Sequence, residues 1–151
     1  MTENCRQSWS SLVCLALVLF PASSLAQTPA ASSAEPTIGE SVPVSGGAYW
    51  NISVPELQTL LSEKDFPLVN VHVPFQGDLP NTDLSIPFDQ IGDHLDQLPA
   101  DRNAMVVLYC RSGPMGVRAA TTLAEQGYTR VYNLVGGFRA WSEAGLPMAN
   151  P

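Results

Sequence analysis

Basic side chains are scarce in this chain. Seven Lys and Arg stand against fourteen Asp and Glu in 151 residues, which sets the formal net charge at −7 and the isoelectric point near 4.5. A nucleic-acid footprint needs the opposite balance, so no nucleic-acid partner is expected, and an anionic substrate would have to be attracted by local groups. Metal-ligating side chains are scarce too. The two histidines, His72 and His94, fall on different segments, and no carboxylate pair stands at ligand spacing beside either. Neither a metal nor another cofactor is expected.

Long apolar runs are missing as well. The longest, Leu12 to Phe20, has nine residues, well short of the roughly 20 that span a bilayer. Pro21, Ala22, Ser23 and then Ser24-Leu25-Ala26 follow it, a small-x-small cleavage pattern before Gln27. Residues 1–26 therefore read as a signal peptide and the protein as exported, periplasmic or secreted, with no stable membrane insertion after cleavage. An uncleaved anchor is the competing reading, and the length of the run argues against it. Cleavage removes Cys5 and Cys14 and leaves Cys110 alone. A single thiol in an oxidising compartment forms no internal disulfide, so it is either an inert buried residue or a reactive group.

What remains, in a chain that is 45% hydrophobic, suffices for one domain with a core. Residues 27–47 are mostly Ala, Ser, Pro, Thr and Gly with two glutamates and no aromatic residue, the composition of a flexible linker. Ala48 to Ile52 reads as a first strand. Ser53-Val54-Pro55-Glu56 opens a helix with a capping box and an apolar stripe of Leu57, Leu60 and Leu61. Leu68 to Val73 is a nearly continuous apolar strand, interrupted on one face by Asn70 and His72. Phe75 to Pro87 is loop, with a short strand over Leu84 to Ile86. The spacing of Phe88, Ile91, Leu95 and Leu98 predicts an amphipathic helix over Asp89 to Gln97, on which His94 is a surface residue. Arg130 to Leu134 is a last strand, Gly136-Gly137 a turn, and Phe138 to Ala144 a last helix ended by Gly145 and Pro147. This alternation argues for an α/β domain with a mainly parallel sheet.

The stretch Met105 to Gly116 holds the chemistry. Its apolar first half is a strand buried on both faces, Cys110 ends it, and Arg111-Ser112-Gly113-Pro114 turns into the helix carried by Val117, Ala120, Leu123 and Ala124. A group at the carboxyl end of a central strand and the start of a helix meets unpaired N–H groups and a partial positive charge. Such a place favours an anion, and a thiolate over a thiol. The bland alternative is a small core cysteine, and the same geometry would also suit a phosphate beside a nucleophile. Phosphatase loops of this kind are one residue longer and carry arginine six positions after the cysteine, where this chain has Gly116. Trp141 and Phe138 are core residues of the last helix.

Cys110-Arg111-Ser112-Gly113 followed by a helix, then Gly136-Gly137-Phe138-Arg139-Ala140-Trp141 and Ala144-Gly145-Leu146-Pro147, resembles the single-domain rhodanese family of sulfurtransferases. The resemblance runs over about residues 48 to 148 and sets residues 48–151 as a rhodanese-like domain. It implies a three-layer α/β fold with a central, mainly parallel sheet flanked by helices. It also implies a sulfurtransferase that moves sulfane sulfur from a small donor (thiosulfate or a persulfide) to a thiol or cyanide acceptor. Cys110 would carry the sulfur as a persulfide, in a loop where Arg111, Ser112, Gly113, Met115 and Gly116 meet the substrate. The alternative is a non-catalytic module holding a small anion or a partner's group in that loop. The chain departs from the family at Asn70-Val71-His72, where Asp-Val-Arg is common, and at Gly77-Asp78-Leu79-Pro80-Asn81, where Gly-His-Ile-Pro-Gly-Ala is usual. Met115 stands where many active members have a basic residue, and Pro114 removes one N–H from the cradle. These changes bear on substrate and rate more than on fold.

Overall fold

The computed structural model describes residues 38–150; the expected signal peptide, and residues 27–37 of the expected linker, lie outside them. Six strands form one sheet: β1 (Glu40–Val44), β2 (Gly47–Ile52), β3 (Leu68–Asn70), β4 (Leu84–Ser85), β5 (Val106–Tyr109) and β6 (Val131–Leu134). Their spatial order is β1-β2-β6-β5-β3-β4. β1 pairs antiparallel with β2 and every other pairing is parallel. The helices are α1 (Val54–Ser62), α2 (Pro114–Glu125) and α3 (Gly137–Glu143).

Parallel strands covered on both faces need apolar side chains in both directions, and β5 and β6 are buried throughout. Alternate residues feed two cores. Val69, Val106 and Leu108 pack with Ala119, Ala120 and Leu123 of α2. Leu68, Val107, Tyr109 and Leu134 pack with Leu57 of α1 and with Phe138 and Trp141 of α3. β5 is thereby held at the centre of the sheet, and Cys110 stands at its carboxyl end.

Three expectations need correction. The composition of residues 27–47 reads as linker, but Glu40–Val44 is strand β1. Its two valines are half-buried, and the Ser45-Gly46 turn, with Gly46 at φ 83°, folds it back on β2. Pro43 is tolerated because this is an edge strand. The amphipathic helix expected over Asp89 to Gln97 is two 3₁₀ turns, Ile91–Asp93 and Leu95–Gln97. His94 leaves the helical region between them at φ −115°, ψ 31°, so Ile91, Leu95 and Leu98 share a face through their packing on the α2 side of the sheet. His94 itself is half-buried, with its Nδ1 3.1 Å from Gln97 Nε2. The strand expected over Leu68 to Val73 stops at Asn70. There the Asn70 Oδ1 accepts the His72 N–H at 3.0 Å and takes it out of the ladder.

The capping box at α1 is present: Glu56 Oε2 accepts from the Ser53 N–H and from the Ser53 hydroxyl, both at 2.7 Å. These bonds, the hydroxyl first, hold the Glu56 carboxyl below its ordinary value of 4.5, with the Gly39 N–H adding to them. A lowered carboxyl stabilises the fold above its unfolded value, and that contribution is lost as pH falls through the folded value. The stability difference between wild type and Glu56→Gln should therefore be constant above about pH 5 and shrink on acidification. Urea titrations across pH 3 to 7 measure it; a difference that does not change with pH would rule out the ionised cap.

Candidate active site

Cys110 is 1% exposed and follows directly on the last ladder residue of β5. Gly113, at φ 115°, turns the loop so that its N–H points back and donates to the Cys110 Sγ at 3.0 Å. Pro114 then opens α2 as its first residue, a position where a missing N–H costs the helix nothing. The sulfur thus sits against a backbone donor at the start of a twelve-residue helix, where partial positive charge accumulates. The loop residues divide sharply around it. Arg111 and Ser112 are exposed, Gly113 and Gly116 are buried, and Met115 is half-buried against the same core cluster as Cys110. Arg118 lies outside the loop, its guanidinium stacked 4.6 Å from the centre of the Phe88 ring.

Two glycines let other elements close on this loop. Gly116 lies where a Cβ would run into the Oδ1 of Asn133, a buried residue of β6 whose Nδ2 donates to Asn51 Oδ1 at 2.9 Å. The first turn of α2 can therefore lie directly on β6. Gly137, at φ 55°, lies where a Cβ would run into the Cys110 carbonyl oxygen. That closeness lets the N–H of Phe138 donate to the Cys110 carbonyl at 2.9 Å and that of Arg139 to the Arg111 carbonyl at 3.0 Å. α3 begins by pinning the backbone of the cysteine loop. Sequence reasoning saw Gly136-Gly137 as a turn and Phe138 as core. The signal that could have revealed more is the second glycine, which a turn alone does not require.

On the opposite flank the loop after β3 is built around a buried polar network. Asn70 Nδ2 donates to the Gly77 carbonyl at 2.9 Å and to Asp78 Oδ1 at 3.0 Å. The Tyr109 hydroxyl donates to the same Asp78 oxygen at 3.1 Å and accepts the Leu79 N–H at 3.1 Å. Burial, with the Asp78 carboxylate adding to it, pushes the Tyr109 hydroxyl above its ordinary value of 10.0. The chain's end straps this loop: Asp78 N–H donates to the Asn150 carbonyl at 3.0 Å and Ala149 N–H to the Asp78 carbonyl at 2.9 Å. The carboxylate at position 78 explains the amide at position 70. Asn70→Asp would exchange a donor for a second acceptor facing Asp78 and a carbonyl. We expect it to destabilise the fold by about 1–3 kcal/mol for the unsatisfied buried group alone, most strongly at neutral pH. Chemical denaturation measures this, and an unchanged midpoint would mean the network is open to water.

The chain matches the family model of the rhodanese-like domain over residues 68–144. It belongs to that family. A sulfurtransferase from Allochromatium vinosum is 40% identical to it over 97 residues, which cover 62% of this chain and 88% of the relative. A thiosulfate sulfurtransferase GlpE from Actinobacillus succinogenes is 49% identical over 43 residues, covering 28% of this chain and only 39% of its own length. Among solved structures, the human single-domain sulfurtransferase TSTD1 matches with a TM-score of 0.55 and 27% identity, over 62% of this chain and 95% of that one. Residues 68–144, which the family model matches, span the positions of the cysteine loop, Gly116, Gly137, Asn70 and Asp78.

Proposed function

We propose that this rhodanese-like protein is a sulfurtransferase that carries sulfane sulfur as a persulfide on Cys110. One observation carries the reading: the Sγ of a buried cysteine, at the carboxyl end of the central strand, accepts a backbone N–H at the start of α2. In the first half-reaction the Cys110 thiolate attacks the sulfane sulfur of the donor. The donor's bond to that sulfur breaks, and sulfite or a thiolate leaves with the electron pair. In the second, an acceptor thiolate or cyanide attacks the outer sulfur, and Cys110 regains its thiolate. Charge and electrons balance in each step without an oxidant. The backbone cradle stabilises the sulfur anion at both stages. Donor and acceptor are small: thiosulfate or a persulfide on one side, a thiol or cyanide on the other. The protein works after export and removal of residues 1–26, which N-terminal sequencing from its native host tests.

Intact mass after incubation with glutathione persulfide tests the chemistry. Wild type should gain one sulfur atom and lose it to added thiol or cyanide, while Cys110→Ser should gain none. A wild type that binds the donor but takes up no sulfur would make the domain a binding module instead.

A further inference from the structure

Two arginines stand apart from the other cations of the domain. Among the described residues, Lys64 pairs with Asp83 and Arg139 with Glu143. Arg102 and Arg130 belong to the amino edge of the sheet: the Arg130 carbonyl accepts the N–H of Val106, the first residue of β5, and the Arg102 carbonyl that of Thr129. Arg111 and Arg118 remain, both exposed and neither in an ion pair among the described residues. Of the two, Arg118 is the one held in place, with its guanidinium over the Phe88 ring, 4.6 Å from the centre. An aromatic ring steadies a guanidinium without neutralising it, so the charge stays available to a carboxylate.

Phe88 fixes where that charge stands. The Tyr109 carbonyl accepts the Val71 N–H at 2.8 Å, and the Val71 carbonyl accepts the Phe88 N–H at 3.1 Å. Each step crosses one strand spacing of about 4.8 Å, which puts the Phe88 backbone ~10 Å from the end of β5, at the same carboxyl edge as Cys110. The Phe88 ring packs against the core cluster that includes Cys110, as Met115 does. From the helix side, Arg118 lies three residues beyond Met115 on α2 and so shares its face. Helical side chains slant back toward the helix start, which here is the cysteine loop. Leading away from that loop, the surface therefore passes from the apolar Met115 to the cation on Phe88.

We propose that Arg118 is a specificity residue for the sulfur donor: it binds a carboxylate on the organic part of a small persulfide, while Met115 packs on the carbon chain between that carboxylate and the sulfur. Glutathione persulfide has this chemistry, with an uncharged methylene at the sulfur and its carboxylates several bonds away. Thiosulfate lacks it, because its sulfonate is bonded directly to the sulfur that is transferred. The inference rests on the sulfurtransferase reading and adds the substrate class; Cys110 takes the outer sulfur and glutathione leaves as its thiolate.

The test compares two donors that differ in those carboxylates, glutathione persulfide and the persulfide of glutathione diethyl ester. Intact mass of quenched samples gives the rate constant of sulfur uptake by Cys110 from each. Wild type should load faster from the acid than from the ester. In Arg118→Gln the ratio of the two rate constants should fall about tenfold, the value of one hydrogen bond between charged groups. Arg118→Lys, which keeps the charge and loses the planar fork, should recover part of it. Equal ratios in wild type and Arg118→Gln overturn the proposal and leave the sulfurtransferase reading intact. A fall confined to Arg111→Gln also overturns it, because the carboxylate then binds at the loop. A wild type that takes up sulfur from neither donor removes both.

Discussion

Gly137→Ala is expected to cost about 3–4 kcal/mol of folding stability and to cut sulfur loading of Cys110 by about a hundredfold. A methyl group there would overlap the Cys110 carbonyl oxygen and come within 2.8 Å of the Arg111 carbonyl oxygen. Both are backbone atoms of the site and cannot rotate away. The start of α3 must lift, breaking the bonds from Phe138 to Cys110 and from Arg139 to Arg111, at 2.9 and 3.0 Å. Each is worth about 1 kcal/mol, and alanine in the left-handed region adds roughly 1–2 kcal/mol of its own. Gly127→Ala is the control. Gly127 also has positive φ, at 88°, but nothing lies within 4 Å of its missing Cβ, so it should show the backbone term alone. Denaturation midpoints and persulfide yield for the two variants separate the effects. If Gly137→Ala behaves like Gly127→Ala, the docking of α3 on the cysteine loop does not hold the site together.

That docking marks the boundary of what the sequence makes legible. The strand, turn and helix around Cys110 are encoded within a dozen consecutive residues, as an apolar run, turn formers and a 3.6-residue period, so β5, the loop and α2 could be read directly. The central sheet follows from similar local patterns. What could not be read depends on pairs distant in the chain. β1 is short, begins with two polar residues and contains a proline, and it becomes a strand by pairing with the edge that β2 offers it. The residues of the two 3₁₀ turns repeat at helical spacing because they face the α2 side of the sheet, and that spacing mimics a helix. The network of Asn70, Asp78 and Tyr109 joins three segments, so nothing local in the sequence marks the amide at position 70 as the partner of the carboxylate at position 78. The roles of Gly137 and Phe138 at Cys110 also had no local signature beyond a doubled glycine.

Met115→Arg should raise kcat/KM for thiosulfate by about tenfold to a hundredfold. Thiosulfate is a dianion, and the loop that would receive it offers one N–H on the Sγ, no N–H at Pro114, and the exposed Arg111 as its only cation. The protein around it carries a net charge of −7, so long-range attraction works against the donor. A guanidinium at position 115 would supply a charge-assisted bond worth about 1.5–3 kcal/mol, which sets the size of the gain. The gain should shrink as salt screens the added charge, since a site open to solvent feels the Debye length of about 10 Å at 0.1 M. Met115 packs half-buried against the core cluster that includes Cys110, and its thioether suits an uncharged organic group better than a sulfonate oxygen. The same variant should therefore lose efficiency with glutathione persulfide, and the ratio of the two donors' kcat/KM should move further than either alone. Steady-state rates with both donors at low and high salt give that ratio. If wild type already turns over thiosulfate as fast as the variant, with no salt dependence in either, position 115 does not select the donor and the apolar lip of the loop has another use.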